Sequence, residues 1–149
     1  MNLLDEQPNP FEEPGRVRAI LVDAENTLYL IKRIKPDVAP YWVAPGGGIE
    51  SDDVDTVAAL QRELWEELGA RVDVIRPMLI IEDQVFFHCF LLELDPSQTN
   101  GPEYDDPARG EYQLERVPID YEAFARLAIK PTELKSFLMR FVDELSIDL

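Results

Sequence analysis

An α/β fold, a mixed β-sheet held between helices, is predicted by three features of this 149-residue chain. An amphipathic helix follows a run of glycines near residue 50, β-rich segments lie on both sides of it, and a second amphipathic helix closes the chain. Each helix carries an apolar stripe on one face only, so each needs a sheet to cover it. With 46% apolar residues the chain has enough for one core at this length, which excludes a disordered protein.

Residues 1–15 contain Pro8, Pro10, Pro14 and Gly15 and show no period, so they are expected to form an irregular N-terminal arm. Residues 16–149 are expected to form the single domain. Arg16 begins a strand, and Asp23-Ala24-Glu25-Asn26 reads as a turn between Val17–Val22 and Thr27–Ile31, whose aliphatic and β-branched residues predict a hairpin. Tyr41-Trp42-Val43-Ala44 is a short strand leading through Pro45 into a glycine loop. Val54 to Leu68 is helical, with Val57, Leu60, Leu64 and Leu68 on its core face, and Gly69 ends it. Arg71–Ile81 and Gln84–Leu94 are strands joined at Glu82-Asp83, a polar loop spans 95–110, and Glu111–Val117 is another strand. A short helix around Tyr121–Leu127 precedes a long one started by Pro131, which carries Leu134, Phe137, Leu138, Phe141, Val142 and Leu145.

Thirty acidic residues against fourteen basic give a net charge of −16. Such a chain has little with which to neutralise a phosphate backbone, so long nucleic acids are excluded as sequence-independent partners. Small anions remain open, because a bound metal reverses the local sign of the field. One cysteine, Cys89, cannot form an internal disulfide and sits in an apolar run, where it reads as an inert buried thiol. The acidic start Met1–Glu6 has no long apolar stretch, so neither a signal peptide nor a membrane span is expected, and the cytoplasm is the default location.

The chemistry is concentrated in Gly46-Gly47-Gly48-Ile49-Glu50 and, eleven residues later, Arg62-Glu63-Leu64-Trp65-Glu66-Glu67-Leu68-Gly69. The spacing of three and four sets Glu63, Glu66 and Glu67 on one patch of helix surface. Three carboxylates so close repel one another, and the arrangement becomes useful when hard divalent cations bridge their oxygens and bring phosphate into the same site. The glycines let the backbone approach a ligand closely and offer it a carbonyl. A run of Arg-Glu-x-x-Glu-Glu alone also suits a solvated helix.

Together, the glycine segment, the helix and the closing Gly69 resemble the signature of the Nudix hydrolases over about 25 of the 149 residues. The chain departs from the usual spacing at one point. Five residues on from Gly47 stands Asp53, which lies eight residues before Arg62 where the family has seven, and the position seven before Arg62 is Val54. One extra residue in the loop reconciles the two patterns, with Asp52 or Asp53 replacing the missing glutamate and capping the helix.

The resemblance implies a Nudix-like α/β/α sandwich and hydrolysis of a nucleoside diphosphate linked to another group X, by water attack on phosphorus. It implies that Glu63, Glu66, Glu67 and the carbonyl of Gly46 bind Mg²⁺ or Mn²⁺, and that Arg62 orients the glutamates. Glu66 or Glu67 is the first candidate for the general base. Glu103, Asp105, Asp106, Glu111 and Glu115 are later acidic candidates, each of which also reads as a solvated surface carboxylate. Arg33 matches a position where relatives place a phosphate-binding cation, whose planar fork suits two phosphate oxygens. Tyr41 and Trp42 could stack on a base or pack in the core, while His88 and Trp65 are expected to be structural. The sequence carries no motif that selects the small-molecule nucleotide substrate. Relatives are often homodimers, and composition leaves that open. A second reading, motivated by the irregular spacing, is a catalytically weak Nudix domain that senses a nucleotide metabolite.

Overall fold

The protein is described by a computed structural model over residues 14–95 and 110–147. Its elements are β1 (Arg16–Val22), β2 (Thr27–Ile34), β3 (Tyr41–Val43), β4 (Gly46–Gly48), α1 (Thr56–Leu68), β5 (Ala70–Ile81), β6 (Gln84–Leu94), β7 (Glu111–Pro118), α2 (Tyr121–Arg126) and α3 (Thr132–Arg140), followed by a 3₁₀ turn at Val142–Glu144. The strands form one sheet in the order β3-β2-β1-β6-β5, with β4 paired to β1 and β7 to β2. Among the described strands only the β1–β6 pairing is parallel, which makes the sheet mixed as predicted. No described helix is long and apolar enough to cross a membrane.

Strand alternation sorts the core into two layers. Val17, Ala19 and Leu21 of β1 point to Leu60, Leu64 and Leu68 of α1, whereas Ile20 and Val22 point to Phe124, Leu134, Leu138 and Leu145 on the other side. Each of these side chains is at most 2% exposed, and full burial of one such residue contributes about 1.5–3 kcal/mol. The apolar stripes on the helices thus cover opposite faces of one sheet.

The hairpin between β1 and β2 is what opens a cleft. Asp23 Oδ1 accepts from the amides of Glu25 and Thr27, and Asn26 takes φ 62°, a turn that asparagine tolerates. Beyond the turn, β1 and β2 pair only at Leu21–Tyr29 and Val22–Leu28. β2 then runs with β3 and β7, while β1 runs with β4 and β6. The two strands splay, and the space between them reaches α1.

Four expectations need correction. The glycine segment is not a loop but the short strand β4, paired with Arg16–Arg18 of β1. Helix α1 begins at Thr56, and its cap is Asp55, whose side chain accepts from the Ala58 amide at 2.8 Å; Asp52 and Asp53 do not cap it. Val57 is 36% exposed, because the buried face of α1 is set by Ala59, Leu60, Leu64 and Leu68 and Val57 lies off its edge. The closing helix stops at Arg140, where Phe141 leaves helical geometry at φ −109°. That break carries Leu145 into the core and lets its carbonyl accept from Nε2 of buried His88 at 2.7 Å. His88 and Cys89 are therefore structural, as expected. The Cys89 thiol is fully buried, and burial pushes its pKa up.

Candidate active site

The cleft is a cavity of about 350 Å³. β1 contributes Arg16 and Arg18, β2 Ile31 and Arg33, β3 Tyr41 and Val43, β4 all three glycines, α1 Glu63 and Glu67, and β7 Tyr112. Six elements distant in sequence meet there because the strands splay. Of the residues named from the sequence, Glu63, Glu67, Gly46 and Arg33 line this cavity, and Arg62 and Glu66 stand beside it.

Two of the glycines are required by contact. A Cβ on Gly46 would lie 2.1 Å from the Val17 carbonyl oxygen, and Gly46 also holds φ 143°, a region that side chains rarely adopt. A Cβ on Gly47 would lie 2.4 Å from Glu63 Oε2, so the Glu63 carboxylate rests against bare backbone. Glu67 is 5% exposed and accepts from the Gly46 amide at 3.3 Å. An ionisable side chain is rarely buried this deeply unless its charge is met.

Arg62 holds the acidic ring together. Its Nε and Nη2 donate to the two carboxylate oxygens of Asp53, both at 2.9 Å, in a bidentate pair. Its Nη1 reaches Glu63 and Glu66 at 3.1 Å each and Glu50 at 3.4 Å, and Nη2 also donates to the Gly48 carbonyl at 3.1 Å. The hydrogen bonds from Arg62 lower the Asp53 pKa to about 2, and Asp53 in turn raises that of Arg62. Of the two aspartates offered for the missing glutamate, Asp53 is the one that holds the arginine, although it does not cap the helix.

The face of each strand decides the remaining candidates. Tyr112 lies opposite Arg33 in the β2–β7 register, and the Arg33 guanidinium stacks 3.7 Å over its ring. Glu111 and Glu115 alternate with Tyr112 and so face the α2–α3 side; Glu115 accepts there from the indole Nε1 of Trp42. This removes both from the base candidates and Trp42 from the stacking candidates, while Tyr41 remains in the cavity wall. Glu103, Asp105 and Asp106 lie outside the described residues. Trp65 sits on the outer side of α1 with the Arg71 guanidinium 5.3 Å from its ring, consistent with a packing role.

Sequence reading missed Arg16, Arg18 and Tyr112. Arg18 donates from Nε to Gln84 at 3.1 Å and from Nη1 to the Gly46 carbonyl at 3.2 Å. Burial lowers its pKa from the ordinary value, and the charges of Glu67 and Glu63 oppose that shift. The available signal was the alternation along β1, where the face that carries Ile20 and Val22 begins with two arginines.

The donor set fits a hard divalent cation in kind: carboxylates on one helix face, a glycine carbonyl beside them, and one carboxylate already buried in the cavity. Among the described residues no three His, Cys, Asp or Glu side chains converge on one point. Glu63 and Glu66 are turned onto Arg62 and Glu67 onto the Gly46 amide, so a cation would bind by rotating these side chains.

Comparison with solved structures places the same fold on several proteins. A NUDIX hydrolase from Nitrosomonas europaea superposes with a TM-score of 0.62 at 16% identity, over 91% of this chain and 97% of that one. A NUDIX-family hydrolase from Clostridium perfringens gives 0.61 at 16% identity, over 90% and 99%. A UDP-X diphosphatase gives 0.57 at 19% identity, over 87% of this chain and 62% of its own. No curated protein matches the sequence. The NUDIX domain model matches residues 13–134, well over half of the chain, and spans β1, the glycine strand, α1 and the cleft between them. The chain belongs to the NUDIX domain family, and so to the pyrophosphohydrolases that act on acid anhydrides.

Proposed function

We propose that this protein is a divalent-metal-dependent hydrolase that cleaves the phosphoanhydride bond of a nucleoside diphosphate linked to a group X, with Mg²⁺ or Mn²⁺ held by Glu63, Glu66, Glu67 and the Gly46 carbonyl. One observation carries the reading: two glutamates, the glycine strand and three arginines share a single cavity. Cation-binding and phosphate-binding groups thus face each other across a space that accommodates a diphosphate. Bound metal would polarise phosphoryl oxygens and lower the pKa of a water.

The chain's own residues divide the remaining work. Arg33, held flat on Tyr112, presents a fork to phosphate oxygens, and Arg18 sets a second cation next to the Gly46 carbonyl. Arg62 holds Glu63 and Glu66 on one side and is itself held by Asp53, so the two carboxylates would turn from this guanidinium to take up a cation. Glu66 or Glu67 takes the proton from the attacking water. Glu67 lines the cavity, whereas Glu66 is paired with Arg62 outside its lining.

The test is release of phosphate and nucleoside monophosphate from a panel of nucleoside triphosphates, nucleotide sugars, ADP-ribose and dinucleoside polyphosphates with Mg²⁺ or Mn²⁺. Glu66→Gln and Glu67→Gln are each expected to lower kcat by about a hundredfold or more, since each removes several kcal/mol of charge stabilisation. Turnover that ignores both substitutions would overturn the assignment. Nucleotide binding without turnover of any panel member would instead favour a sensor.

A further inference from the structure

The cleft does not end at the glycine strand. A second cavity, of about 370 Å³, shares Arg18 and Val43 with the first and continues along Gln84, Phe86, Lys130 and Pro131. Its position follows from the fold. Trp42 of β3 forms a parallel bridge with Ile129, bonded from the Trp42 amide to the Ala128 carbonyl at 3.0 Å and from the Lys130 amide to the Trp42 carbonyl at 2.8 Å. That bridge hangs Lys130 over the gap between β3 and β1.

The electrical character of this region runs against the rest of the molecule. Acidic residues outnumber basic ones thirty to fourteen in the chain, yet among the described residues no carboxylate lines the second cavity. The Tyr41 ring, in the wall of the first cavity, has Lys130 Nζ 4.8 Å, Lys35 Nζ 5.8 Å and the Arg33 guanidinium 6.0 Å from its centroid. Arg16, Arg18 and Arg33 line the first cavity and Arg18 and Lys130 the second, so Lys130 lies where the two adjoin.

On the helix side a diphosphate is balanced by metal on the glutamates, and Arg33 and Arg18 meet its remaining oxygens. A neutral X would leave Lys130 without a described group of opposite sign in the second cavity. An X with a phosphate or carboxylate of its own would meet the Lys130 ammonium beside Arg18 and the amide of Gln84.

We propose that the second cavity receives group X, that X is itself anionic, and that Lys130 is a specificity-determining residue that reads its charge. This rests on the hydrolase reading above and narrows it. The chemistry named is a diphosphate whose far end bears a phosphate or carboxylate, such as a sugar acid or a phosphosugar.

The experiment uses two matched pairs: UDP-glucose against UDP-glucuronate, and ADP-ribose against ADP-ribose 1″-phosphate. Within each pair the members differ by one anionic group. The kcat/KM ratio is expected to favour the anionic member by about tenfold or more in at least one pair, and to shrink as salt screens the contact. Lys130→Met should cut that ratio to near one, and Lys130→Arg should keep most of it. Equal or neutral-favouring ratios, or a Lys130→Met loss that falls equally on both members, would overturn the proposal while leaving the hydrolase intact. If neither pair is hydrolysed but neutral-X members of the wider panel are, the proposal also falls. No turnover of any compound would sink the hydrolase reading and this inference with it.

Discussion

Three consecutive glycines in one strand offer three different experiments. Gly46→Ala places a methyl group 2.1 Å from the Val17 carbonyl oxygen and 2.8 Å from Arg18 Cα, both backbone, at φ 143°. Left-handed strain of roughly 1–3 kcal/mol adds to an overlap of similar size that β1 cannot relieve. The sum is roughly 2–6 kcal/mol, a lowering of Tm by roughly 5–20 °C for a domain of this size. Gly47→Ala meets only the Glu63 carboxylate, at 2.4 Å, which is the far end of a flexible side chain. Ordinary contact begins near 3.4 Å, so the carboxylate must retreat by about 1 Å, which leaves stability nearly unchanged but costs activity on the order of a hundredfold. Gly48→Ala meets nothing within 4 Å and is expected to be neutral or to gain up to about 1 kcal/mol from a stiffer unfolded chain. Calorimetric Tm, Mn²⁺ binding followed by electron paramagnetic resonance, and kcat/KM on one substrate separate the three. A Gly47→Ala protein with wild-type Mn²⁺ affinity and rate would refute the placement of Glu63, and a Gly48→Ala protein as damaged as Gly46→Ala would refute the strand geometry.

Further outcomes follow from the titrating groups. Because Arg62 depresses the Asp53 pKa from 3.8 to about 2, the folded state binds fewer protons than the unfolded one between those values. The stability from this pair is full above about pH 4 and lost as pH falls toward 2, so Asp53→Asn should flatten the acid limb of the Tm profile in that window. An unchanged limb would separate Asp53 from Arg62. Burial holds the His88 pKa below its usual 6.5, against the opposing effect of the hydrogen bond that Nε2 donates to the Leu145 carbonyl. Stability is then complete above pH 6.5 and falls on acidification below it, and His88→Gln should remove that slope. Cys89, fully buried with a raised pKa, should react with a thiol reagent only at the rate of unfolding; rapid labelling of the native protein would contradict its placement.

What the sequence disclosed was periodic or punctuated. The stripes Leu60-Leu64-Leu68 and Leu134-Leu138 place two helices, because a helix in water hides one face wherever its partner comes from. The turn at Asp23–Asn26 is written in side chains that bond their own backbone. What it did not disclose depended on partners remote in sequence. Gly46–Gly48 is a strand because Arg16–Arg18 lies beside it, and the closing helix breaks at Phe141 because Leu145 is needed in the core next to His88. Arg18 and Tyr112 became site residues only when the splay of β1 from β2 brought six elements to one cavity. Glu111 and Glu115 looked equivalent to other acidic candidates until strand alternation turned them to the opposite face.

The irregular spacing before α1 shows why a consensus distance in sequence stands for a distance in space. The family's glutamate has one methylene more than Asp53, and the chain here has one residue more between this position and Arg62. Asp53 is held from its N-terminal side by a small turn: its amide donates to the Glu50 carbonyl at 3.1 Å and the Glu50 amide donates to Asp53 Oδ2 at 2.8 Å. From that turn the shorter carboxylate still reaches both Nε and Nη2 of Arg62 at 2.9 Å, despite the added residue. With Arg62 held from that side, its Nη1 remains directed at Glu63 and Glu66. Asp53→Glu should therefore be worse than its chemistry suggests, since the longer side chain must buckle in a turn sized for aspartate. It should lower kcat/KM toward the level of Asp53→Ala. Deletion of Val54 combined with Asp53→Glu, which restores the family spacing, should recover activity. If Asp53→Glu alone matched wild type, side-chain length would be immaterial and the fit of aspartate to this turn would be refuted.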